Sequence, residues 1–258
     1  MSNEESPPRS PLERVLGIVT EVRAGEGPLT LILAANLFLF LTAYYFIKPV
    51  REGLILGMGP AGAEYKSYLG AAIACSLLIV VPAYGKLVDR LPRLPLVVGV
   101  TLFFASHLVF FFLAGRFDWP IPMLPLIFFV WVGIFNLMVV SQLWSFANDL
   151  FRSEQGKRLF PLVAFGAALG SVVGSKIASL VTDSLKATAE AHEASKASFT
   201  LLLMGGVVLV ICASLFVVAE QLSKQLKARS AAGATASAPP AAKSETEPKP
   251  SGTEGGFQ

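Results

Sequence analysis

The chain alternates long apolar stretches with short polar segments that are rich in lysine and arginine. Each apolar stretch is 17 to 31 residues long, and about 20 apolar residues in a helix cross the roughly 30 Å of hydrocarbon in a bilayer. The pattern therefore predicts six transmembrane helices and an all-α, polytopic membrane protein. The predicted spans are Leu29–Gly59, Tyr68–Tyr84, Leu94–Ala114, Ile121–Ala147, Leu159–Val181 and Phe199–Ala219.

These spans divide the chain into three parts. Residues 1–28 form an N-terminal segment, residues 29–222 form the transmembrane domain, and residues 223–258 form a tail rich in Ala, Pro, Ser, Lys and Glu that we predict to be disordered. In the N-terminal segment, apolar residues recur at helical spacing. They predict a short amphipathic helix that lies either on the membrane surface or on the cytoplasmic ends of the bundle. Its apolar residues are Leu12, Val15, Leu16, Val19 and Val22.

Composition and charge exclude a soluble protein and give an orientation. The chain is 53% hydrophobic and 15% charged, and its lysines and arginines concentrate in alternate connections. The positive-inside rule then places both termini on the cytoplasmic side of the cell (inner) membrane, with lipid around the spans. The net charge of +3 is a topology signal. No basic block with interleaved aromatic residues points to a nucleic-acid partner.

The first span carries three charged residues, Lys48, Arg51 and Glu52, inside an otherwise apolar run. If the run is centred in the bilayer, Lys48 and Arg51 lie roughly 6 to 11 Å outward of the midplane. Charge at this depth usually faces a bundle interior or a water-filled cavity, and it marks a candidate functional site. The alternative is that both cations extend to the outer interface and only anchor the helix.

The connection after the second span reads GKLVDRLPR and follows the pattern GxLxDRxxR. This pattern resembles the loop between helices two and three of major facilitator superfamily transporters. Glycine would allow close helix approach, and the aspartate would pair with nearby cations, so that the cluster latches a cytoplasmic gate. The alternative is a basic loop that serves topology alone. The gate residues in this connection are Gly85, Asp89, Arg90 and Arg93.

The fourth span ends with a polar face. Ser141, Ser145 and Asn148 are spaced at i, i+4 and i+7, with Gln142 and Asp149 beside them. In lipid this face must be covered by protein or water. It either lines the path of a polar substrate, with Gln142 and Asn148 as candidate binding residues, or joins helices by hydrogen bonds. The candidate gate residues at the inner mouth are Asp149, Lys157 and Arg158.

The fifth span contains a doubled GxxxG pattern at Gly166, Gly170 and Gly174. Small residues at every fourth position let a neighbouring helix approach closely, so we interpret the glycines as a packing surface and not as a phosphate cradle. Lys176 follows in the outer part of the span. It either joins Lys48 and Arg51 in a cationic patch or extends to the interface.

Two segments, Tyr44–Leu56 and Ser141–Ser175, resemble the N-terminal half of the nucleotide transporters of the ATP/ADP translocase family, and the resemblance extends over about residues 29–222. It implies half of a major facilitator-type twelve-helix bundle that exchanges ATP for ADP, or carries a related nucleotide, by alternating access. The resemblance also implies that Lys48, Arg51 and Glu52 occupy the positions of the family's basic and acidic residues in the first span. Fixed cations would compensate phosphate charge in a low dielectric, which fits Lys48, Arg51 and Lys176 as phosphate-binding residues.

The sequence departs from this family in two ways. An acidic residue of the fourth span in better-known members corresponds here to Val132, so transport of another organic anion stays an alternative, as does a non-transporting six-helix protein. The chain also corresponds to one half followed by linker-like residues, so we expect a partner: a second six-helix half or a second copy. No catalytic or metal-ligand constellation is evident, and we expect no enzymatic activity, cofactor or metal.

Overall fold

The computed structural model of the chain describes residues 11–17, 20–23, 25–121, 123–151, 153–188 and 198–236. Within these ranges the chain is helical and contains no strand. Six of the helices are each long and apolar enough to cross a membrane, which confirms the predicted all-α fold with six spans. The helices are α1 (Pro11–Leu16), α2 (Gly27–Leu56), α3 (Pro60–Val88), α4 (Arg93–Arg116), α5 (Leu124–Leu150), α6 (Ser153–Thr188) and α7 (Thr200–Ala236).

A tight turn of glycine and proline joins α2 to α3. Gly59 has a φ of +70°, which glycine adopts at little cost and other residues adopt rarely. Pro60 follows as the first residue of α3, where its missing N–H has no helical partner to lose. The turn makes α2 and α3 antiparallel neighbours, so the end of α2 lies beside the start of α3.

Helix α2 is the centre of the bundle. It packs against α6 and α7 and also contacts α5 and α3, while α4 packs against α7. Phe216 links the helices of the core, because its ring lies 6.1 Å from that of Phe40 on α2 and 5.0 Å from that of Phe146 on α5. Half of the most apolar part of α2 is buried, whereas none of the corresponding part of α3 is. Helix α3 therefore forms the least covered side of the bundle.

The glycines of α6 pack directly on the backbone of α2. A Cβ atom added at Gly166 or Gly170 would lie less than 3.0 Å from the carbonyl oxygen of Ala34 or Phe38, and one at Gly174 would lie 2.8 Å from the Cα of Thr42. Each contact joins residues 132 positions apart, so the two helices run parallel in fixed register. The interpretation of the GxxxG pattern as a packing surface is confirmed.

The N-terminal segment packs on the end of the bundle. Helix α1 ends at Leu16, earlier than the predicted amphipathic helix, which extends to Val22. Beyond it, the Thr20 hydroxyl donates a hydrogen bond to the carbonyl of Arg158 at 2.6 Å, and Val22 is fully buried. Of the two predicted placements for this segment, these contacts support packing against the helix ends.

The last helix continues past the predicted end of the transmembrane domain at residue 222. Helix α7 extends to Ala236, because the sequence after the span is rich in Ala, Lys and Gln, which favour a helix, and contains no proline before that point. Residues 1–10 and 237–258 lie outside the described residues. The division into a segment, a domain and a disordered tail therefore stays a prediction.

Candidate functional site

The charged residues near the end of α2 form an ion-pair network with the start of α3. Arg51 contacts Glu52 at 2.6 Å, and Lys66 contacts the other carboxylate oxygen of Glu52 at 2.6 Å. The guanidinium of Arg51 also lies over the ring of Phe129 at 4.6 Å. One carboxylate thus neutralises part of the charge of two cations. Lys66 was not among the predicted site residues, because the contact depends on the turn between α2 and α3.

Lys48 and Lys176 lie outside this network. The ammonium of Lys48 lies 5.3 Å from the ring centroid of Tyr45, and the residue is half-buried. Lys176 is exposed. It follows Gly174 by two residues, which turns it about 200° around α6 from the face that packs on α2. The structure therefore brings Arg51 and Glu52 together, but it places Lys176 on the side of α6 away from α2.

The polar face of α5 is partly exposed and partly buried. Asn148 is exposed, whereas the side chain of Gln142 is 1% exposed, and neither of its amide atoms has a hydrogen-bond partner among the described residues. A buried amide without partners costs about 1 to 3 kcal/mol. Asn148 also borders a small cavity of about 360 Å³ together with Lys157 at the start of α6. Asn148 and Lys157 thus share one site, and Gln142 lies deeper.

We call the end of the bundle that carries Arg93, Asp149 and Arg158 the basic end. Here Arg93 Nε lies 2.7 Å from Asp149 Oδ2, which pairs the start of α4 with the end of α5. Asp89 and Arg90 are exposed. The close helix approach expected at Gly85 is wrong for the described part of the chain, because a Cβ there would meet nothing within 4 Å. The gate role of these residues stays a prediction.

Glu26, directly before α2, holds the N-terminal segment and α6 together at the basic end. Arg158 donates to both carboxylate oxygens at 3.0 and 3.3 Å, Gln155 donates at 3.1 Å, and the backbone amide of Arg23 donates at 3.0 Å. Arg158 donates in addition to the carbonyl of Glu21. The sequence indicated Arg158 but not Glu26. The only local indication of a role for Glu26 is its position directly before a helix that begins with Gly-Pro.

The Glu26 contacts make the stability of the protein dependent on pH. Burial raises the pKa of the Glu26 carboxyl, but hydrogen bonds from Arg23, Gln155 and Arg158, with the charge of Arg158, more than compensate, so the pKa lies below its ordinary value. Because the folded state favours the carboxylate, this stabilisation is complete above the unfolded pKa of about 4.3 and is lost as pH falls through the folded pKa.

We therefore expect the melting temperature in detergent to fall in acid below about pH 4, with a smaller fall for Glu26→Gln. The exposed Glu154 in the first turn of α6 supplies the matched control, Glu154→Gln, which should follow the unaltered chain. Equal acid sensitivity of all three proteins would contradict the assignment of this pH dependence to Glu26.

The described residues contain no group of three or more His, Cys, Asp or Glu side chains that could hold a metal ion. The candidate ligand-binding side chains described above include cations and amides. A fixed ammonium or guanidinium suits an anionic ligand, with phosphate oxygens as the strongest acceptors.

Comparison with known protein families gives a match over about half of the chain. The family model described as TLC ATP/ADP transporter matches residues 112–249, which is 138 of the 258 residues. The matched part begins near the end of α4 and includes α5, α6 and α7, so α2 with Lys48 and Arg51 precedes it. No curated protein and no solved structure matches the chain.

Proposed function

The chain belongs to the TLC ATP/ADP transporter family, and from this premise we propose that it exchanges ATP for ADP across a membrane by alternating access. This membership confirms the resemblance to the ATP/ADP translocase family and identifies the chain as a member of a transporter family. The main support for the proposal of ATP/ADP exchange is the charge on α2. Lys48 and Arg51 belong to a helix long and apolar enough to span a membrane, where cations usually mark a substrate pathway.

Within this proposal, Lys48 is the principal phosphate-binding residue. Arg51 shares Glu52 with Lys66, so part of its charge is already compensated, whereas Lys48 rests against the face of an aromatic ring. A phosphate replaces that weak contact with a charge-assisted hydrogen bond. Lys176 would reach the same substrate only from another direction, because it lies on the side of α6 away from α2.

Helix α5 supplies the amides in this proposal. Gln142 lacks hydrogen-bond partners although it is buried, so a rearrangement that exposes it to substrate or water would recover the cost of burial. Asn148 and Lys157 border the same cavity at the basic end. Together with the pair between Arg93 and Asp149, they support a gate at this end that opens and closes access to the substrate.

We further propose that the chain works as one half of a larger assembly. Ser141 and Asn148 are exposed on a helix apolar enough to span a membrane, and polar side chains in that position need protein or water against them. A second six-helix half or a second copy of the chain would provide both. The basic connections between spans support an orientation with both termini in the cytoplasm. In this proposal the protein lies in the cell (inner) membrane.

Nucleotide binding is the first test of this proposal. Loss of one charge-assisted hydrogen bond costs about 1.5 to 3 kcal/mol, so Lys48→Gln should weaken ATP and ADP binding by roughly 10- to 100-fold. Binding is measured by calorimetry on the full assembly in nanodiscs, followed by counterflow of labelled ATP in liposomes. The exposed Lys224, paired with Glu220 one turn away, provides the control variant Lys224→Gln.

Two outcomes would contradict the proposal. One is an unaltered chain, in a complete assembly, that neither binds nor exchanges any nucleotide. The other is equal binding by Lys48→Gln and Lys224→Gln. Because Val132 is fully buried in the core where better-known members have an acid, the same assays should include other organic anions. Exchange of such an anion without nucleotide exchange would support the alternative substrate class.

A further inference from the structure

An apolar groove of about 640 Å³ lies between α3, α4 and α5. Its walls include Ala83 and Leu87 of α3, Gly99 and Val100 of α4, and Met138 of α5. The groove is separate from the charged residues assigned to nucleotides above. It exists because α3 packs loosely in the bundle, and because Gly99 leaves open space where a Cβ would meet nothing within 4 Å.

The groove runs along α4 from the basic end toward the middle of the bundle. On α4 its lining residues extend from Pro95, close to the start of the helix, to His107. Twelve residues of helix rise about 18 Å, which is close to the roughly 15 Å of hydrocarbon in one leaflet. Trp131 of α5, whose ring lies 6.2 Å from that of His107 and stacks on that of Phe135, lines the groove at its far end. These dimensions suit one acyl chain that enters from the basic end.

The mouth of the groove is flanked by two exposed cations. Lys86, in the last turn of α3, directly precedes the lining residue Leu87, and Arg90, two residues after the end of α3, directly precedes the lining residue Leu91. Asp89, directly after α3, is three residues from Lys86 and therefore lies close to it, so it compensates part of the charge of the two cations. Asp149, the acidic residue from the neighbouring α5, is paired with Arg93. Two cations and one carboxylate therefore leave a net positive charge at the mouth, which suits an anionic headgroup.

We propose that this groove binds one acyl chain of an anionic glycerophospholipid from the leaflet at the basic end, with Lys86 and Arg90 against its phosphate and headgroup. The walls offer the acyl chain apolar contacts over one leaflet depth, and the cations select headgroup charge. The inference depends on the membrane-spanning fold and not on nucleotide transport. Its test is therefore independent of the substrate.

Photolabelling tests the proposal directly. The full chain is reconstituted in phosphatidylcholine nanodiscs with a trace of phosphatidylglycerol that carries a diazirine near the middle of one acyl chain. We expect cross-linked peptides from α4 and α5 around Val100 and Met138, and unlabelled phosphatidylglycerol should compete. Each cation near the surface contributes about fivefold in affinity, so Lys86→Gln with Arg90→Gln should lower the preference for phosphatidylglycerol over phosphatidylcholine by roughly 30-fold at low salt.

A groove-filling variant separates binding in the groove from general labelling by lipid. Gly99→Phe places a ring in the open space and should abolish labelling at Val100 and Met138. Gly70→Phe is the control, because a Cβ at Gly70 also meets nothing within 4 Å and Gly70 is not part of the groove. Melting curves of both variants verify that they fold, and phosphatidylglycerol should raise the melting temperature of the control but not of Gly99→Phe.

Three results would overturn the proposal. Labelling at Val100 and Met138 that survives Gly99→Phe would place the lipid elsewhere. Equal labelling by phosphatidylcholine and phosphatidylglycerol probes would remove the role of Lys86 and Arg90. Absence of lipid labelling, together with a cross-link to another polypeptide from a photoreactive amino acid placed at Met138, would show that a second copy or a second six-helix half covers the groove.

Discussion

Replacing Gly170 by leucine is expected to lower the free energy of unfolding by about 3 kcal/mol, at the upper end of the effect of overpacking a core. The Cβ itself, and not a flexible side-chain end, would overlap the backbone carbonyl of Phe38, so no rotamer relieves the clash. The Thr42 hydroxyl also donates to the Gly170 carbonyl at 3.2 Å. Helices α2 and α6 must separate along their shared length to accommodate the change.

The measurement is unfolding in mixed micelles of a mild detergent and dodecyl sulfate, with helix content as the signal. Gly70→Leu is the matched control, because Gly70 also lies within a spanning helix and a Cβ there meets nothing within 4 Å. Both substitutions gain the same intrinsic helix propensity, so their difference reports the contact with α2. Equal stability of the two variants would contradict the backbone contact between α2 and α6.

Periodic and short-range features of this fold could be predicted from the sequence. Span length follows from the thickness of the hydrocarbon, and the packing role of Gly166, Gly170 and Gly174 follows from small residues on one helix face. The alignment of α6 with α2 could not be predicted in the same way. A GxxxG face fixes how closely a partner approaches, but it does not identify that partner among the five other spanning helices.

The sequence predicted several of the charged residues that belong to the candidate site, but it did not predict which residues form ion pairs with one another. Intramembrane charge marked Arg51 and Glu52, yet the partner Lys66 lies across a turn, and its contact depends on how α3 leaves Gly59. Glu26 and Arg158 are 132 residues apart, so no local spacing relates them. Gly85 illustrates the opposite error, since a motif glycine suggested a close approach that the fold does not make.

The second large effect is expected at the basic end, where Arg158→Met should lower the free energy of unfolding by about 2 kcal/mol. Loss of one partner from a buried ion pair costs about 3 to 5 kcal/mol, and the 20% exposure of the Arg158 side chain reduces that cost through solvent screening. Methionine keeps the apolar stem but leaves the Glu26 carboxylate, 10% exposed, without its cation. Thermal unfolding in detergent near neutral pH measures the loss.

A double-mutant cycle identifies the cause. Glu26→Gln combined with Arg158→Met removes both charges and keeps a side chain that can accept from Gln155, so the double variant should recover about 1 kcal/mol relative to Arg158→Met alone. The exposed Lys157 gives the control Lys157→Met, which should change stability little. Additive losses in the cycle would mean that Arg158 acts through its bond to the Glu21 carbonyl and not through Glu26.

The effect of Arg158→Met should also depend on pH. Because acid protonates Glu26, the difference in the free energy of unfolding between Arg158→Met and the unaltered chain should narrow below about pH 4.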